Sequence, residues 1–296
     1  DNMIFDPKDE IIRIEKFIKR TIETYNFKGA VIGVSGGVDS AVVLALLTRT
    51  IEKENIFALI LPERDSSKES VRDAKLVCNH FGVNYKIFSI TGALRKLGAY
   101  SLFPPALFIP ESIKISYSKK RWERYQDPYI MDLKNEGDEL FLKGLAYYRI
   151  KHRVRMCKLY MEAEKRGYCV VGTTNKTELA LGLYVKWGDD AVDIEPIKHL
   201  YKTQVFELAK HLGVPEKIIN KKPTPDLIPG INDEDAFGIE YSKLDKILFS
   251  IESNEGKVED IDEKLLSKVK EIMRFTKIRE LKGLGIDDIS NQKDRW

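Results

Sequence analysis

The sequence predicts an α/β fold in which an open parallel sheet is doubly wound, with helices on both faces. Short apolar runs without polar alternation, such as AVIGVSG from residue 30 and IFALILP from residue 56, are typical of strands buried on both faces. Helical segments of ten or more residues separate these runs. Consecutive strands joined in this way form right-handed βαβ units, so the sheet is expected to be parallel.

The first helix of the chain is predicted from its capping residues. Asp6 precedes Pro7, and an aspartate N-cap followed by a proline in the first turn is a common helix start. Apolar side chains then recur at helical spacing, and the helix is expected to end near Gly29. A second helix is predicted from Ser40 to about Glu54, and the segments SSKESVRDAKLVCNHFG and NYKIFSI predict a further helix and strand.

The order of strands and helices is interrupted in the middle of the chain and is then restored. Residues from about 91 to 144 combine aromatic, proline and charged residues without a clear period, and they predict an irregular insert. A helix from about Phe141 to Lys165, the strand YCVVGTT and the helix TQVFELAKHLG follow. Residues 1–232 are therefore assigned to one domain, and the highly charged, helical residues 233–296 to a C-terminal appendage.

Composition and charge argue against several classes of protein. The 296 residues include 49 Lys and Arg against 46 Asp and Glu, and a formal net charge of +3 gives no reason to expect a nucleic-acid partner. The cysteines Cys78, Cys157 and Cys169 form neither a CxxC pair nor a disulfide framework, which favours a reducing compartment. The sequence has no bilayer-spanning apolar run and no signal-peptide pattern, so a cytoplasmic location without a membrane partner is expected.

A glycine-rich loop joins the first predicted strand to the following helix, which is the place where open α/β sheets bind ligands. Its backbone N–H groups and the helix N-terminus can hold a polyphosphate, with Ser35 and Ser40 as further donors. The GxxxxGK[ST] pattern, which positions a γ-phosphate with a lysine, is absent from the sequence. Asp39 supplies a carboxylate instead, which suits Mg²⁺ bound against phosphate oxygens. The residues expected to bind the nucleotide here are Gly33, Val34, Ser35, Gly36, Gly37, Val38, Asp39 and Ser40.

The motif SGGxDS in this loop resembles the signature of the ATP-pyrophosphatase superfamily. The resemblance implies an adenine nucleotide alpha hydrolase-like fold and an enzyme that splits ATP between its α and β phosphates and transfers AMP to a substrate. A glycine-rich turn that only caps a helix is the plain structural alternative. The loop by itself does not name the acceptor of AMP.

Motifs in the second half of the chain resemble those of the NAD synthetases, in the order of that family, and the likeness covers most of the chain apart from residues 91–144 and the far C-terminus. The matching segments are Arg153-Val154-Arg155-Met156, Gly172-Thr173-Thr174-Asn175-Lys176-Thr177-Glu178, Lys186-Trp187-Gly188-Asp189 with Asp193, Tyr201-Lys202-Thr203-Gln204, and Pro223-Thr224-Pro225-Asp226-Leu227. The chain departs from the family at Asp190-Ala191, where a glycine pair is usual, and at Thr276-Lys277, where a His-Lys pair is common.

The resemblance implies a role for the matched residues. Thr173, Lys202 and Thr224 are expected to contact ATP, and Glu178 is expected to share Mg²⁺ with Asp39. Lys202 would also offset the charge on departing pyrophosphate, so Asp39, Glu178 and Lys202 are the expected catalytic residues. Arginine and lysine suit an anionic second substrate. The residues expected to bind deamido-NAD are Arg153, Lys186 and Asp193.

The implied reaction is the ammonia-dependent amidation of deamido-NAD to NAD. A carboxylate oxygen attacks the α-phosphorus of ATP, pyrophosphate leaves, and ammonia displaces AMP from the acyl-adenylate. The sequence offers no glutaminase half, so free ammonia is the expected nitrogen donor, and the resemblance also implies a homodimer. The alternatives are adenylation of another carboxylate or of a tRNA base, and a nucleotide-binding protein without catalysis.

Overall fold

The computed structural model describes residues 5–102, 125, 127–221, 238–253 and 262–286. In these residues one parallel sheet has the strand order β3-β2-β1-β4. Its strands are Ala30–Gly33 (β1), Ile56–Ile60 (β2), Tyr85–Ile87 (β3) and Cys169–Val171 (β4). The expected open parallel sheet is confirmed.

Helices connect the strands and cover the sheet. In the described residues, numbered along the chain, they are Pro7–Thr24 (α1), Val38–Thr48 (α2), Lys68–Phe81 (α3), Thr91–Lys96 (α4), Ala99–Leu102 (α5), Pro128–Lys134 (α6), Glu139–Glu164 (α7), Lys176–Leu181 (α8), Lys202–His211 (α9), Glu216–Ile219 (α10), Tyr241–Ser253 (α11) and Glu263–Glu280 (α12). The first helix begins as predicted, because the Asp6 carboxylate accepts the Lys8 N–H at 2.8 Å and Pro7 lies in the first turn.

Both faces of the sheet are buried, because successive side chains of a strand point to opposite sides. In β1, Ala30 and Ile32 belong to the apolar cluster formed with α1, α2, α3 and α9. Val31 belongs to the cluster on the other face, formed with α4, α5 and α7. A strand with two buried faces needs apolar residues at every position, which is why these strands read as continuous apolar runs. The doubly wound fold class is therefore confirmed.

The direction of winding reverses between β1 and β4. The chain passes outward from β1 to β2 and β3, and it later returns to place β4 on the free side of β1. At such a reversal the connections leave the sheet on opposite faces and open a crevice at the carboxyl ends of the strands. The glycine-rich loop follows β1 and Gly172-Thr173 follow β4, so both predicted phosphate-binding segments lie at this crevice.

The second helix of the chain is shorter than predicted. Helix α2 ends at Thr48 rather than near Glu54. The Thr50 hydroxyl donates to two carbonyls of the last turn, at 3.0 Å each, and so satisfies groups that a longer helix would have used. A separate 3₁₀ turn, Lys53–Asn55, then leads into β2.

The segment predicted to be irregular, residues 91–144, is helical in much of the part that the structure describes. Helices α4, α5 and α6 and the start of α7 lie there, whereas residues 103–124 and 126 lie outside the described part. Helices α4 and α5 contain six and four residues. Helices of one or two turns are too short to show a periodic pattern in a sequence.

The C-terminal residues form the expected helices, α11 and α12. Their apolar stripes are buried against α6, α8 and the N-cap residue of α9, Tyr201, in one cluster, which includes Leu133, Leu181, Leu244, Ile247 and Ile272. The division of the chain at residue 232 stays a prediction. Among the described helices, none combines the length and the apolar composition needed to cross a bilayer.

Candidate active site

The glycine-rich loop after β1 folds back onto the first turn of α2. Gly36 has a φ of +84°, and a Cβ at this position would lie 2.6 Å from the carbonyl oxygen of Ser70 in α3. Glycine is required there for both reasons. The Ser40 hydroxyl donates to the Gly37 carbonyl at 3.0 Å and accepts the Ser35 N–H at 3.3 Å. The loop is therefore held in one shape by its own hydroxyl groups and by the helix behind it.

Asp39, Glu178 and Lys202 converge at the crevice between β1 and β4. The Lys202 Nζ lies 2.5 Å from Asp39 Oδ2 and 3.5 Å from Glu178 Oε1. Asn175, the N-cap of α8, donates from Nδ2 to Asp39 Oδ1 at 2.9 Å. The structure thus brings together the three residues that were expected to be catalytic. Sequence reasoning missed Asn175, although it stands inside one of the matched segments.

Lys202 is 1 % exposed. Contacts with other residues fix both its backbone N–H group and its ammonium group. The Lys202 N–H donates to Thr177 Oγ1 at 2.9 Å, and the Thr177 hydroxyl donates to Asp245 Oδ1 at 2.6 Å. Burial raises the pKa of Asp245. A buried ammonium is costly unless carboxylates compensate it, so the two facing carboxylates explain how this lysine is retained in the core.

The carboxylates of Asp39 and Glu178 fit a shared divalent cation. Both lie against one ammonium, so an ion near that point would meet two hard oxygen ligands of the kind that Mg²⁺ prefers. In the part of the chain that the structure describes, no group of three or more His, Cys, Asp or Glu side chains is arranged to hold a metal. The remaining ligands would come from phosphate oxygens and water, as is usual for Mg²⁺.

A cavity of about 310 Å³ extends from the glycine-rich loop across the crevice. One wall, which we call the phosphate wall, is formed by the loop at residues 33–40 with Thr173, Glu178 and Lys202. The other, which we call the opposite wall, is formed by Leu183, Tyr184, Val185, Gly188 and Asp189 together with Asp132, Tyr148 and Arg279. Thr173 therefore lies where it was expected, beside the loop. Thr224 and the rest of its segment lie outside the described residues, so the expected ATP contact of Thr224 stays a prediction.

The residues expected to bind deamido-NAD are not among the described residues that line this cavity. Arg153 Nε donates to the Lys186 carbonyl at 3.2 Å, and the Lys186 ammonium donates to the Leu281 carbonyl. Asp193 accepts the N–H of Val170 in β4 at 2.7 Å. Each side chain thus holds a backbone segment in place, and their assignment to substrate binding stays a prediction.

Neighbours of those residues do line the cavity. Arg155, two residues after Arg153, reaches it and donates from Nε to the Leu61 carbonyl at 3.1 Å. Asp189, three residues after Lys186, lines the opposite wall. The sequence motifs contain both residues but do not say which of them faces the cavity, since that depends on how the segments pack.

The two aspartates of the GDDA sequence carry raised pKa values. Burial raises the pKa of Asp189, although its carboxylate accepts the Val185 N–H at 2.7 Å. Burial also raises the pKa of Asp190, and the neighbouring charge of Asp189 adds to the effect. Asp190 Oδ1 accepts the Gly188 N–H at 3.2 Å. The second acidic residue, which departs from the usual family pattern, therefore stabilises the turn that carries Asp189.

A buried polar cluster on the opposite wall had no signal in the sequence. Asp132 accepts a hydrogen bond from the Tyr148 hydroxyl at 2.5 Å and forms ion pairs with Arg149 at 2.7 Å and Arg279 at 2.6 Å. Burial by itself raises the pKa of Asp132, but the charges of Arg279 and Arg149 outweigh it and lower the pKa below its ordinary value. Arg279 on α12 lies 147 residues after Asp132 on α6, so only the folded chain brings the whole cluster together.

Comparison with known proteins finds relatives over nearly the whole chain. The family model for NAD synthase matches residues 10–105 and 105–282. The NH(3)-dependent NAD(+) synthetases of Thermotoga neapolitana and Thermotoga maritima are each 62% identical to this chain over 261 residues. The matched region is 88% of this chain in both cases, and 90% and 92% of the two relatives.

Solved structures are similar over the same length. The NMN synthetase of Francisella tularensis has a TM-score of 0.73 and 27% identity, with 95% of this chain and 99% of that chain covered. The NH3-dependent NAD synthetase of Campylobacter jejuni, solved in complex with a nitrate ion, has a TM-score of 0.68 and 25% identity, with 96% and 100% covered.

Proposed function

The chain belongs to the NAD synthase family, and we propose that it amidates deamido-NAD with ammonia, consuming ATP and releasing AMP and pyrophosphate. The observation that carries the proposal is the convergence of Asp39, Glu178 and Lys202 at the carboxyl ends of β1 and β4. This is the geometry that a ligase needs in order to stabilise departing pyrophosphate. The relatives that share most of this chain are named for the same ammonia-dependent reaction.

The phosphate wall supports the adenylation step. When an acceptor carboxylate attacks the α-phosphorus of ATP, the bond to the bridging oxygen breaks and negative charge builds on the pyrophosphate. The backbone N–H groups of the loop and the N-terminus of α2 would hold these phosphates. Lys202 Nζ would donate to the departing oxygens, and because it is preorganised and buried, its stabilisation exceeds that of an ammonium in water.

Asp39 and Glu178 would hold the magnesium ion of the nucleotide. Bound Mg²⁺ would supply further positive charge to the phosphate oxygens. Such an ion would also compensate the charges of the two carboxylates, which would leave the Lys202 ammonium available to donate to phosphate oxygens.

The opposite wall would receive the acceptor, so that one cavity holds both substrates. Enclosure in a single cavity converts an encounter between two molecules into a local reaction. Ammonia then attacks the activated carbonyl and AMP leaves as the amide forms. A covalent nucleophile is not needed, and burial raises the pKa of the Cys78 and Cys169 thiols to about 12, which keeps both unreactive.

The test is a product balance with the purified chain, ATP, Mg²⁺, ammonia and deamido-NAD. We expect AMP, pyrophosphate and NAD in equal amounts. Because one similar structure is an NMN synthetase, nicotinate mononucleotide serves as the competing acceptor, and a higher kcat/KM for it would reassign the substrate. Steady AMP and pyrophosphate without either amide would indicate another acceptor, and no turnover would indicate a nucleotide-binding protein.

The cysteines separate amidation from sulfur transfer to a tRNA base. Under the proposed function, replacing Cys78, Cys157 and Cys169 together with alanine leaves turnover unchanged, because none of these thiols takes part. Loss of turnover in a correctly folded triple variant would favour sulfur transfer.

A homodimer and a cytoplasmic location belong to the same proposal. The family resemblance supports the homodimer, and cysteine usage supports the cytoplasm. Light scattering on the purified chain would measure the oligomeric state.

A further inference from the structure

The C-terminal end of α12 contacts the segment at residues 182–190 in more than one place. Arg279 Nη1 donates to the Tyr184 carbonyl at 2.9 Å and also donates to the Gly182 carbonyl. Arg279 Nη2 lies 2.6 Å from Asp132 Oδ2. One planar guanidinium group therefore joins α12 to α6 and to the residues that follow α8.

Further contacts lie on either side of Arg279. Gly182 has a φ of +70°, and a Cβ there would lie 2.9 Å from Thr276 Oγ1, so glycine allows α12 to approach this closely. Beyond the helix, the Leu281 carbonyl accepts a hydrogen bond from the Lys186 ammonium. The last turn of α12 thus follows the segment from Gly182 to Lys186 along its length.

The central contact is a buried ion pair. The side chains of Arg279 and Asp132 are 9% and 6% exposed. Burial by itself lowers the pKa of Arg279, but the charge of Asp132 outweighs it and raises the pKa above its ordinary value. Both groups are therefore charged. Charge-assisted hydrogen bonds in a site with little water are short and directional, so they hold the segment in a defined position.

The segment held in this way forms much of the opposite wall. Tyr184, Asp189 and Arg279 all line the cavity. The segment also begins where α8 ends, and the first turn of α8 carries Glu178 of the phosphate wall. A shift of residues 182–190 would therefore move the opposite wall relative to the bound nucleotide.

We propose that Arg279 is a positioning residue for the second substrate, which it aligns by fixing residues 182–190. This inference rests on the proposed function, because it assumes that the opposite wall receives deamido-NAD. Arg279 acts through backbone carbonyls and does not touch the reacting atoms. Lysine does not replace it, since a single ammonium lacks the planar fork that reaches two carbonyls and a carboxylate together.

Steady-state kinetics on Arg279→Met and Arg279→Lys test the proposal, with deamido-NAD and ATP varied in turn. We expect the KM for deamido-NAD to rise about tenfold or more in both variants, and the KM for ATP to stay within about twofold of the wild type. Arg274→Met is the matched control, because Arg274 is an exposed arginine on the same helix whose guanidinium lies over the ring of Phe275. It should behave like the wild type.

Chemical rescue separates positioning from a general loss of structure. In Arg279→Ala, millimolar guanidinium should refill the vacated site and lower the KM for deamido-NAD. Urea has the same shape without the charge, so it should give no rescue. Guanidinium should leave the KM values of the wild type and of Arg274→Met unchanged.

An equal rise in both KM values, a change no larger than that of Arg274→Met, or failure of guanidinium to rescue Arg279→Ala would overturn the positioning role. If Arg279→Met does not fold, the ratio of the two KM values is taken from Arg279→Lys and judged in the same way. A wild-type chain that makes no NAD would count against the proposed function. A wild type that makes NAD while the Arg279 variants match it would count against the inference alone.

Discussion

On the phosphate wall the residues that are expected to act on ATP contact one another directly, with Lys202 Nζ placed against both Asp39 and Glu178. On the opposite wall the shape is held through the backbone, because Arg279 donates to the carbonyls of Gly182 and Tyr184. On the phosphate wall, the charged groups of a ligand can replace the ion pairs that Lys202 forms with Asp39 and Glu178. The contacts of the opposite wall are made entirely by the protein's own groups, so they do not require a ligand.

The two walls also differ in how the fold brings their parts together, although both join residues that are distant in the sequence, with Asp39 and Lys202 163 residues apart. The phosphate wall is built at the ends of neighbouring strands, which the topology of the sheet places side by side. The opposite wall needs α12, whose Arg279 is 147 residues away from its partner Asp132. Lys202 keeps one facing carboxylate when either Asp39 or Glu178 is replaced, so substitution of one of these carboxylates should reduce the rate more than the stability. The more deeply buried Asp132 of the opposite wall should matter first for stability.

The largest expected effect is the loss of stability in Asp132→Asn. Removing one partner of a buried ion pair leaves an uncompensated charge, so the free energy of unfolding should fall by about 3–5 kcal/mol near neutral pH, as measured by urea unfolding. The pKa of Asp132 is lowered in the folded state, so its contribution is present above the ordinary value of 3.8 and is lost as the pH falls through the lowered pKa. The difference between variant and wild type should shrink in acid, and a difference independent of pH would contradict this account.

The next effect is on turnover in Asp39→Asn. The change keeps the volume but removes the charge that faces Lys202 and the expected Mg²⁺, so kcat should fall about 100–1,000-fold, the usual size for losing one electrostatic group. Glu178→Gln should act in the same direction. Asp9→Asn, at an exposed position on α1, is the control and should match the wild type. A large loss of stability in Asp39→Asn, with the rate preserved, would reverse the comparison between the walls.

A smaller effect is expected in the backbone of the phosphate wall. Gly36→Ala meets both an unfavourable φ and a clash with α3, so the free energy of unfolding should fall by about 3 kcal/mol. Gly213→Ala is a matched control, because Gly213 has a φ of +70° with nothing within 4 Å of the added Cβ. Gly213→Ala should lower the free energy of unfolding by about 1–2 kcal/mol, because only the strain of the left-handed conformation is added. Equal losses would show that α3 does not constrain the loop.

The smallest effect is expected in Arg153→Ala. Arg153 holds the carbonyl of Lys186 from outside the cavity, so its loss should raise the KM for deamido-NAD about tenfold, equivalent to about 1.4 kcal/mol, with kcat little changed. Initial-rate measurements at saturating ATP would show this. Unchanged affinity for deamido-NAD would mean that the role carried over from the family motif is wrong at this residue.

Sequence reasoning predicted the phosphate wall more fully than the opposite wall. The SGGxDS loop lies on a short run of consecutive residues, and its place between a strand and a helix follows from local pattern. The order of the family motifs then led to Glu178 and Lys202, which the structure brings to the loop. The fold class and the family are confirmed, whereas the individual roles of these residues await the experiments above.

The residues of the opposite wall could not be predicted from the sequence, and the reasons are physical. Asp132, Tyr148 and Arg279 are ordinary residues in charged or aromatic segments, and their importance comes from burial and from one another. The charged sequence of α12, with its narrow apolar stripe, also gives no indication of which helices it packs against. In the structure the apolar stripes of α11 and α12 pack with α6 and α8, and Arg279 lines the cavity.

The amino-acid sequence by itself determined the parallel sheet, the glycine-rich loop and the family, because apolar period, turn chemistry and ordered motifs are properties of neighbouring residues. Only the tertiary structure decided which residues face the cavity and which helix holds its opposite wall. Those outcomes depend on contacts between segments more than a hundred residues apart, such as that between Asp132 and Arg279. Such contacts form when the apolar stripes of different helices are buried against one another. The local sequence pattern of one helix does not show which other helix it will contact.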